Sequence, residues 1–360
     1  MVIIMKKVIV RLENFCKSYE NNEVIKDINL EVYEGEFLTL LGSSGCGKTT
    51  ILRAISGLDS VTSGKIYIND VDVTNLDPQE REVNTIFQNY ALFPLMTIED
   101  NIGFGLKMKK VPKEEIKKAV KEMMELVHLE GYEKRFPSEL SGGEQQRVSI
   151  VRGLINNPKV LLLDEPLSAL DMKLRKQMQI ELKQLQRKFG ITFIYVTHSQ
   201  DEALSMSDRI VVLNEGKIEQ IGTPTQVYEK PKNLFVANFL GDSNIFKGKV
   251  IDDGEAILTE EGDVFKIDKT PRGTLEEIYI MVRPENIRVS FEKPKGNHVL
   301  GKVYEKSYNG SMTKILTKVG KKVMTVMVFG NDCPFKRGDE VYLSWDVEDQ
   351  IYVNGDSDEE

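Results

Sequence analysis

The sequence predicts an α/β domain built on a largely parallel sheet, followed by a small all-β domain. Three observations carry this. Apolar runs at Phe37–Leu41, Val160–Leu163 and Ile191–Val196 lack polar alternation, the pattern of strands covered on both faces. A glycine-rich loop, GSSGCGKT at Gly42–Thr49, follows the first run and opens a helix. After about Asn238, strand-like runs separated by Gly, Asp and Asn turns dominate.

Taken in order, MVIIMKKVIV at the start is apolar but broken by Lys6 and Lys7; too short for a signal peptide, it reads as an opening strand. Strands follow at Val8–Phe15, Val24–Val32 and Glu36–Leu41, then a helix over Lys48–Ser56. In Pro112–Leu129, Ile116, Ala119, Val120, Met123 and Val127 recur at helical spacing, and Pro112 suits the first turn. In Met172–Phe189, Leu174, Met178, Leu182, Leu185 and Phe189 form a second stripe. Both stripes read as core packing. From Ile245 onward, Lys322–Phe329, Val341–Trp345 and Gln350–Val353 point to an antiparallel barrel or sandwich of roughly 110 residues. The acidic tail, Asp356–Glu360, reads as a frayed end.

A chain of 360 residues holds two or three domains, and 41% apolar residues can bury a sizeable core. The net charge of −8 argues against a nucleic-acid partner held by a dominating basic surface. Three cysteines, Cys16, Cys46 and Cys333, are too few and scattered for a disulfide framework and fit a reducing compartment. No apolar stretch approaches the roughly 20 residues that span a bilayer, so work at a membrane would go through another protein.

The glycine loop is the densest chemical signal. Backbone amides over Gly42, Ser43, Ser44, Gly45, Cys46 and Gly47 line up at a helix start, where partial positive charge suits phosphate. Lys48 adds a full charge for the β- and γ-phosphates, and Thr49, with Thr50 beside it, offers a hydroxyl to Mg²⁺. Cys46, at the same helix start, is expected to favour its thiolate and to be open to alkylation. The strand Val160–Leu163 ends in Asp164, placed to hold Mg²⁺, and Glu165, placed to activate an attacking water as general base. His198 ends the run ITFIYVT, where it can orient that water. Gln88 is polar within IFQNYALFP and can reach Mg²⁺ or the water; an ordinary loop glutamine is the alternative. Tyr19 can stack on adenine or pack against the core. Ser141, Gly142 and Gly143 open another helix and make a second anion-binding N-terminus, with Ser141 also an N-cap through Glu144. One chain carries one glycine loop and one such serine. Two copies head to tail complete both sites.

These residues resemble the ATP-binding subunits of ABC transporters. Walker A is Gly42–Thr49, the Q-loop Gln88, the signature Leu140–Gln145; Walker B ends at Asp164 and Glu165, the D-loop is Ser168–Asp171, and His198 is the switch histidine. The resemblance adds Asp171 to the nucleotide-binding set. It continues through GTPTQVYEKPKNLFVANFLGDSNIF (Gly222–Phe246) and Arg283-Pro284-Glu285 into the importer branch with a C-terminal TOBE-type regulatory barrel. FQNYALFP, GLKMKKVPKEEI, LLLDEPLSALDMKLRKQMQ and SMSDRIVVLNEGKIEQIGTP are most similar to the ATPases of spermidine and putrescine importers.

The resemblance implies an ABC ATPase domain over 1–238, with a parallel-sheet core, an antiparallel β-subdomain and a helical subdomain over about 89–157. A small OB-like barrel over 239–360 follows it. It further implies ATP and Mg²⁺, a homodimer, two membrane permease subunits, an extracytoplasmic substrate-binding protein and a peripheral place on the cytoplasmic face of the membrane. Tyr90, Phe93 and Phe104 are candidates for the permease-docking groove. Import of sugar, iron or sulfate, and a soluble ABC ATPase, stay open as alternatives. The chain departs from the family at Ser199, where an acidic residue is usual, at Gly153 for Ala, and at Leu95 for His.

Overall fold

A computed structural model of the chain describes residues 6–20, 22–268, 277–330 and 333–355. Residues 1–5 of the expected opening strand and the acidic tail 356–360 lie outside the described residues. The chain divides into two units, Met1–Pro224 and Thr225–Glu360.

The first unit opens with β1 (Val8–Tyr19) and β2 (Asn22–Tyr33), whose intermittent burial marks strands with one face on the core. β3 (Phe37–Gly42) is buried at every position and runs into the loop that starts α1 (Lys48–Ser56). β4 (Ser63–Ile68) and β5 (Val71–Asp72) complete a four-stranded antiparallel sheet of order β2-β1-β4-β5.

After β6 (Val83–Ile86) come three helices, α2 (Ile98–Met108), α3 (Lys113–Leu126) and α4 (Gly142–Leu154). They bury Ile98, Ile102, Val120, Met124, Val148 and Val151 in a cluster of their own, as a subdomain should. Pro112 sits at the N-cap of α3, one position before the first turn. Gly153 is not an exposed defect: a Cβ there would stand 3.1 Å from Leu161 Cδ1, so the missing methyl leaves room for the sheet.

β7 (Val160–Asp164), α5 (Met172–Phe189), β8 (Thr192–Thr197), α6 (Gln200–Met206), β9 (Arg209–Asn214) and β10 (Lys217–Gly222) finish the unit. The central sheet has six strands in the order β10-β9-β3-β8-β7-β6, parallel except for β10 at its edge. Leu38, Leu40, Leu162, Ile194 and Val196 face one cluster; Phe37, Leu161, Leu163, Phe193 and Tyr195 face the other. Burial on both faces is why these strands read as unbroken apolar runs. The α5 stripe buries Met178, Leu182 and Leu185 on the second face.

The second unit contains α7 (Pro224–Glu229), α8 (Leu234–Phe239), β11 (Asn244–Ile251), β12 (Ala256–Thr259), β13 (Val264–Lys266) and β14 (Glu277–Val282). β15 (Arg288–Ser290), β16 (Asn297–Tyr308), β17 (Met312–Val319), β18 (Lys322–Phe329), β19 (Glu340–Trp345) and β20 (Gln350–Val353) follow. They form two five-stranded sheets, β13-β12-β11-β14-β20 and β15-β19-β16-β17-β18, around one core in which Phe246 stacks on Trp345 and Phe265 meets both edge-on. The division at 224 falls earlier than the expected 238. The reason is packing: Ala237 is buried with Met281 and Val353, and the Arg283 guanidinium donates to Ala237 O (3.1 Å) and Tyr228 O (2.7 Å). The segment 225–238 is therefore tied to the β-rich unit.

Candidate nucleotide and hydrolysis site

β3 lies between β8 and β9 in the parallel sheet, so its C-terminal end opens at a sheet edge flanked by loops. The glycine loop stands there. Gly47 caps α1 with φ 100°, a conformation that strains any side chain, and a Cβ at that position would meet Ile25 Cδ1 at 2.3 Å. Gly42 admits no Cβ either, since Leu213 O would lie 2.4 Å away. Lys48 is buried, its Nζ donating to Gly42 O (2.9 Å) and Ser43 O (2.8 Å), while Ser43, Ser44 and Gly45 are exposed. The loop is thus a backbone cradle with its cation drawn against it and its outer amides open.

Cys46 corrects its expectation. Its side chain is only 3% exposed, and burial pushes the thiol above its ordinary value, with Lys48 pulling the other way. Desolvation outweighs the helix start here.

α1 and β7 bring the hydroxyl and carboxylate together: Thr49 Oγ1 donates to Asp164 Oδ1 at 3.0 Å. Burial raises the Asp164 carboxyl, opposed by the Thr49 hydroxyl. One carboxylate and one hydroxyl, both hard oxygen donors, fit Mg²⁺, which takes few protein ligands and completes its shell with water and phosphate. No group of three or more acidic, His or Cys side chains suited to a metal exists among the described residues.

The next residue is held under strain. Glu165 has φ 44°, in the left-handed region that costs a non-glycine residue about 1–3 kcal/mol. Surrounding bonds hold it there: its N–H donates to Val196 O (3.1 Å), and its carbonyl accepts from Ser168 N (3.2 Å) and Ser168 Oγ (2.9 Å). The side chain reaches His198, whose Nδ1 stands 3.2 Å from Glu165 Oε2. Gln88 Nε2 donates to Ser168 Oγ at 3.2 Å. Glu165, Ser168, Arg175, Thr197, His198, Ser199 and Glu202 line a small cleft. A carboxylate beside an imidazole in such a cleft can accept a proton from water and have the resulting acid oriented.

Tyr19 is 44% exposed. Its hydroxyl donates to Asp59 Oδ2 (2.7 Å), the Arg53 guanidinium forks onto the same carboxylate (2.9 and 3.0 Å), and Lys17 Nζ stands 4.7 Å from the ring centroid. A ring so pinned offers an open face to a flat base. The Ser141 helix start is different. Ser141 Oγ donates to Glu144 Oε2 (2.7 Å) and accepts from Glu144 N (3.4 Å), closing a capping box. Gly142 is exposed; Gly143 is buried, and a Cβ there would meet Leu174 Cδ2 at 2.6 Å. Asp171 caps α5, accepting from Lys173 N and Leu174 N (3.0 and 3.1 Å). Of the docking candidates, Tyr90 is buried and Phe93 packs on Phe104 (centroids 4.6 Å), whereas Leu95 is 90% exposed.

Reasoning from sequence missed four residues that this geometry recruits: Arg53 and Asp59 around Tyr19, and Arg175 and Glu202 beside His198. Arg175 lies four positions after Asp171 and Glu202 four after His198. His198 precedes the Ser199 N-cap of α6, so its spacing to Glu202 is not a helical turn and carries no signal by itself.

A phosphate cradle at the end of a parallel strand, a hydroxyl–carboxylate pair and a carboxylate–imidazole pair define a P-loop nucleotide hydrolase. Residues 25–168 match the ABC transporter family and residues 280–353 the TOBE domain. The chain belongs to the ABC transporter family, as an ATP-hydrolysing subunit that binds ATP with Mg²⁺. It is 46% identical over 352 residues to the spermidine/putrescine import ATP-binding protein PotA of Marinobacter nauticus, covering 95% of this chain and 94% of the relative. It is 47% identical over 359 residues to the PotA of Vibrio parahaemolyticus, covering 97% and 95%. Among solved structures, it resembles the ATP-binding cassette MJ0796, a dimer in a post-hydrolysis state bound to ADP and Pi. That match has 35% identity and a TM-score of 0.55, covering 60% of this chain and 98% of that one. CbiO1 of Clostridium perfringens, part of the ABC transporter complex cbiONQ, matches at 28% identity and a TM-score of 0.58, covering 62% and 91%. No helix among the described residues is long and apolar enough to cross a membrane.

Proposed function

We propose that the chain energises polyamine import, working as a homodimer on the cytoplasmic face of the membrane with two permease subunits and an extracytoplasmic binding protein. The observation behind the engine is the split of its parts. The glycine loop, Asp164, Glu165 and His198 stand together, while Ser141 closes a capping box with Glu144 on its own helix. A second copy in opposite orientation supplies Ser141–Gly143 to the γ-phosphate side of each cradle.

In this reading Lys48 and the amides of Gly42–Gly47 grip the triphosphate, Thr50 lies next in line on α1, and Tyr19 takes the adenine. Thr49 and Asp164 would hold Mg²⁺, which when bound would supply positive charge against the phosphates. Glu165 takes a proton from the attacking water, His198 orients that carboxylate, and Gln88 joins the group through Ser168. Asp171 fixes the start of α5 at the facing surface. Leu95, the most exposed large apolar side chain among the described residues of the first unit, is the contact we assign to the permease.

The cargo rests on near-full-length similarity to relatives named for spermidine and putrescine import. The test is co-purification with the membrane partner and binding protein, followed by ATP turnover with each solute. Stimulation by spermidine or putrescine supports the cargo; stimulation by a sugar, iron or sulfate alone rejects it.

A further inference from the structure

The cleft beside His198 contains a charged pair to which the hydrolytic roles above give no task. Glu202 on α6 is only 4% exposed. Its Oε2 accepts from Tyr195 Oη and from Thr197 Oγ1, both at 2.7 Å. A buried carboxylate is costly unless paired. The cation facing it is Arg175, whose Nε, buried and without a hydrogen-bond partner, lies 4.0 Å from Glu202 Oε1. The other end of that guanidinium holds the Ser168–Asp171 loop, with Nη2 donating to Leu170 O (2.9 Å) and reaching Ser168 O (3.5 Å).

Each end of the pair therefore meets a different catalytic loop. On one side, Thr197 accepts from Ser199 N–H at 3.0 Å, so the residues before and after His198 are both fastened to Glu202 through one hydroxyl. On the other, the loop that Arg175 holds carries Ser168, whose hydroxyl donates to Glu165 O (2.9 Å) and accepts from Gln88 (3.2 Å). Glu165 and His198 meet only if both loops keep their places.

We propose that Glu202 and Arg175 form a partly buried ionic brace that positions His198 and the Ser168–Asp171 loop around Glu165, setting the rate of hydrolysis and not the affinity for nucleotide. Both are positioning residues, since neither reaches the reacting atoms. The proposal rests on the reading of Glu165 and His198 as the hydrolytic pair. The pair takes no part in the glycine loop's own bonds, which join Lys48 to Gly42 and Ser43. Affinity and rate should accordingly separate.

The experiment is a double-mutant cycle on the full-length protein with Glu202→Gln, Arg175→Gln and both together, reading kcat, KM for ATP and affinity for a fluorescent ATP analogue. Glu202→Gln keeps an acceptor for Tyr195 and Thr197 while deleting the charge. Arg175 is partly exposed, so its replacement leaves a folded chain even if the buried change does not. Each single variant is expected to lose about tenfold or more in kcat, since small misplacements cost up to about a hundredfold. KM and analogue affinity should stay within about twofold, and the double variant should be no slower than the slower single one, the mark of a coupled pair. Multiplying effects, a raised KM with normal kcat, or lowered thermal stability at normal kcat would each overturn the brace. Glu165→Gln is measured beside them. Normal turnover in that variant removes the hydrolytic reading itself, whereas an inactive Glu165→Gln with brace variants at full kcat removes only the brace.

Discussion

The hydrolytic side and the Ser141 side are both polar, both glycine-bearing and both set at helix starts, yet they hold their polar groups differently. Around Glu165 the bonds run between distant segments: Thr49 to Asp164, Gln88 to Ser168, His198 to Glu165. Around Ser141 they stay within one turn, hydroxyl and amide both going to Glu144. The first side is assembled by the fold of one chain. The second is satisfied locally. In the dimer we propose, Ser141 would exchange its bond to Glu144 for one to phosphate, and closure would carry that cost at the helix start.

The sharpest way to break this comparison is Glu165→Gln. If the pre-assembled side performs the chemistry, turnover should fall about 10²–10⁴-fold, the range for a positioned base, while ATP binding persists and the dimer is trapped closed. Steady-state hydrolysis and analytical sedimentation with ATP check it. Turnover at the wild-type rate would return Glu165 to the role of a strained turn residue.

The next effect lies on the other side. Gly143→Ala places a methyl 2.6 Å from Leu174 Cδ2. Overpacking of this kind costs about 1–3 kcal/mol, read as a lowered denaturation midpoint. No change would mean that Leu174 yields and that the glycine serves phosphate alone.

Ser141→Ala is smaller in stability and more telling. Loss of the N-cap should cost about 1 kcal/mol. The capping box also ties this difference to pH. Hydrogen bonds from the Ser141 hydroxyl and amide hold Glu144 below the usual carboxylate range, so its contribution is present above the unfolded glutamate pKa and fades as pH falls through the folded one. The gap between wild type and Ser141→Ala should therefore narrow below about pH 4.3. A gap that is constant with pH would show that Glu144 takes no part.

How legible all this was in the sequence follows the same divide. Elements whose identity is set by local rules were readable: α1 over Lys48–Ser56, α5 over Met172–Phe189 and the strand Lys322–Phe329 fall where glycine loop, helical stripe and alternation put them. α2 was not read as a separate element, because Asn101, wholly buried and bonded to Phe93 and Met96, and the glycines of Ile-Gly-Phe-Gly blur its apolar stripe. The chain divides at 224 and not at the expected 238 because Arg283, far along the chain, bonds Tyr228 and Ala237 within the β-rich unit. In the site, Lys48, Thr49, Asp164 and Glu165 follow from spacing. Arg175 and Glu202 emerge only when β8, α5 and α6 pack together, a long-range event that no motif spells out.

Cys46 gives the smallest effect and shows which of two local forces prevails. A helix start favours thiolate, and Lys48 Nζ lies 3.8 Å from the sulfur. Burial works against both, with the residue 3% exposed and its pKa raised. A raised pKa leaves little thiolate at neutral pH, so alkylation there should be slow and should accelerate as pH climbs past the ordinary thiol value. Cys16 and Cys333, partly exposed, act as internal references for access. The measurement is site-resolved alkylation by mass spectrometry across a pH series, with and without ATP and Mg²⁺. If Cys46 reacted first at pH 7, the helix start would outweigh desolvation, and the cradle would have to open in solution further than its buried lysine suggests.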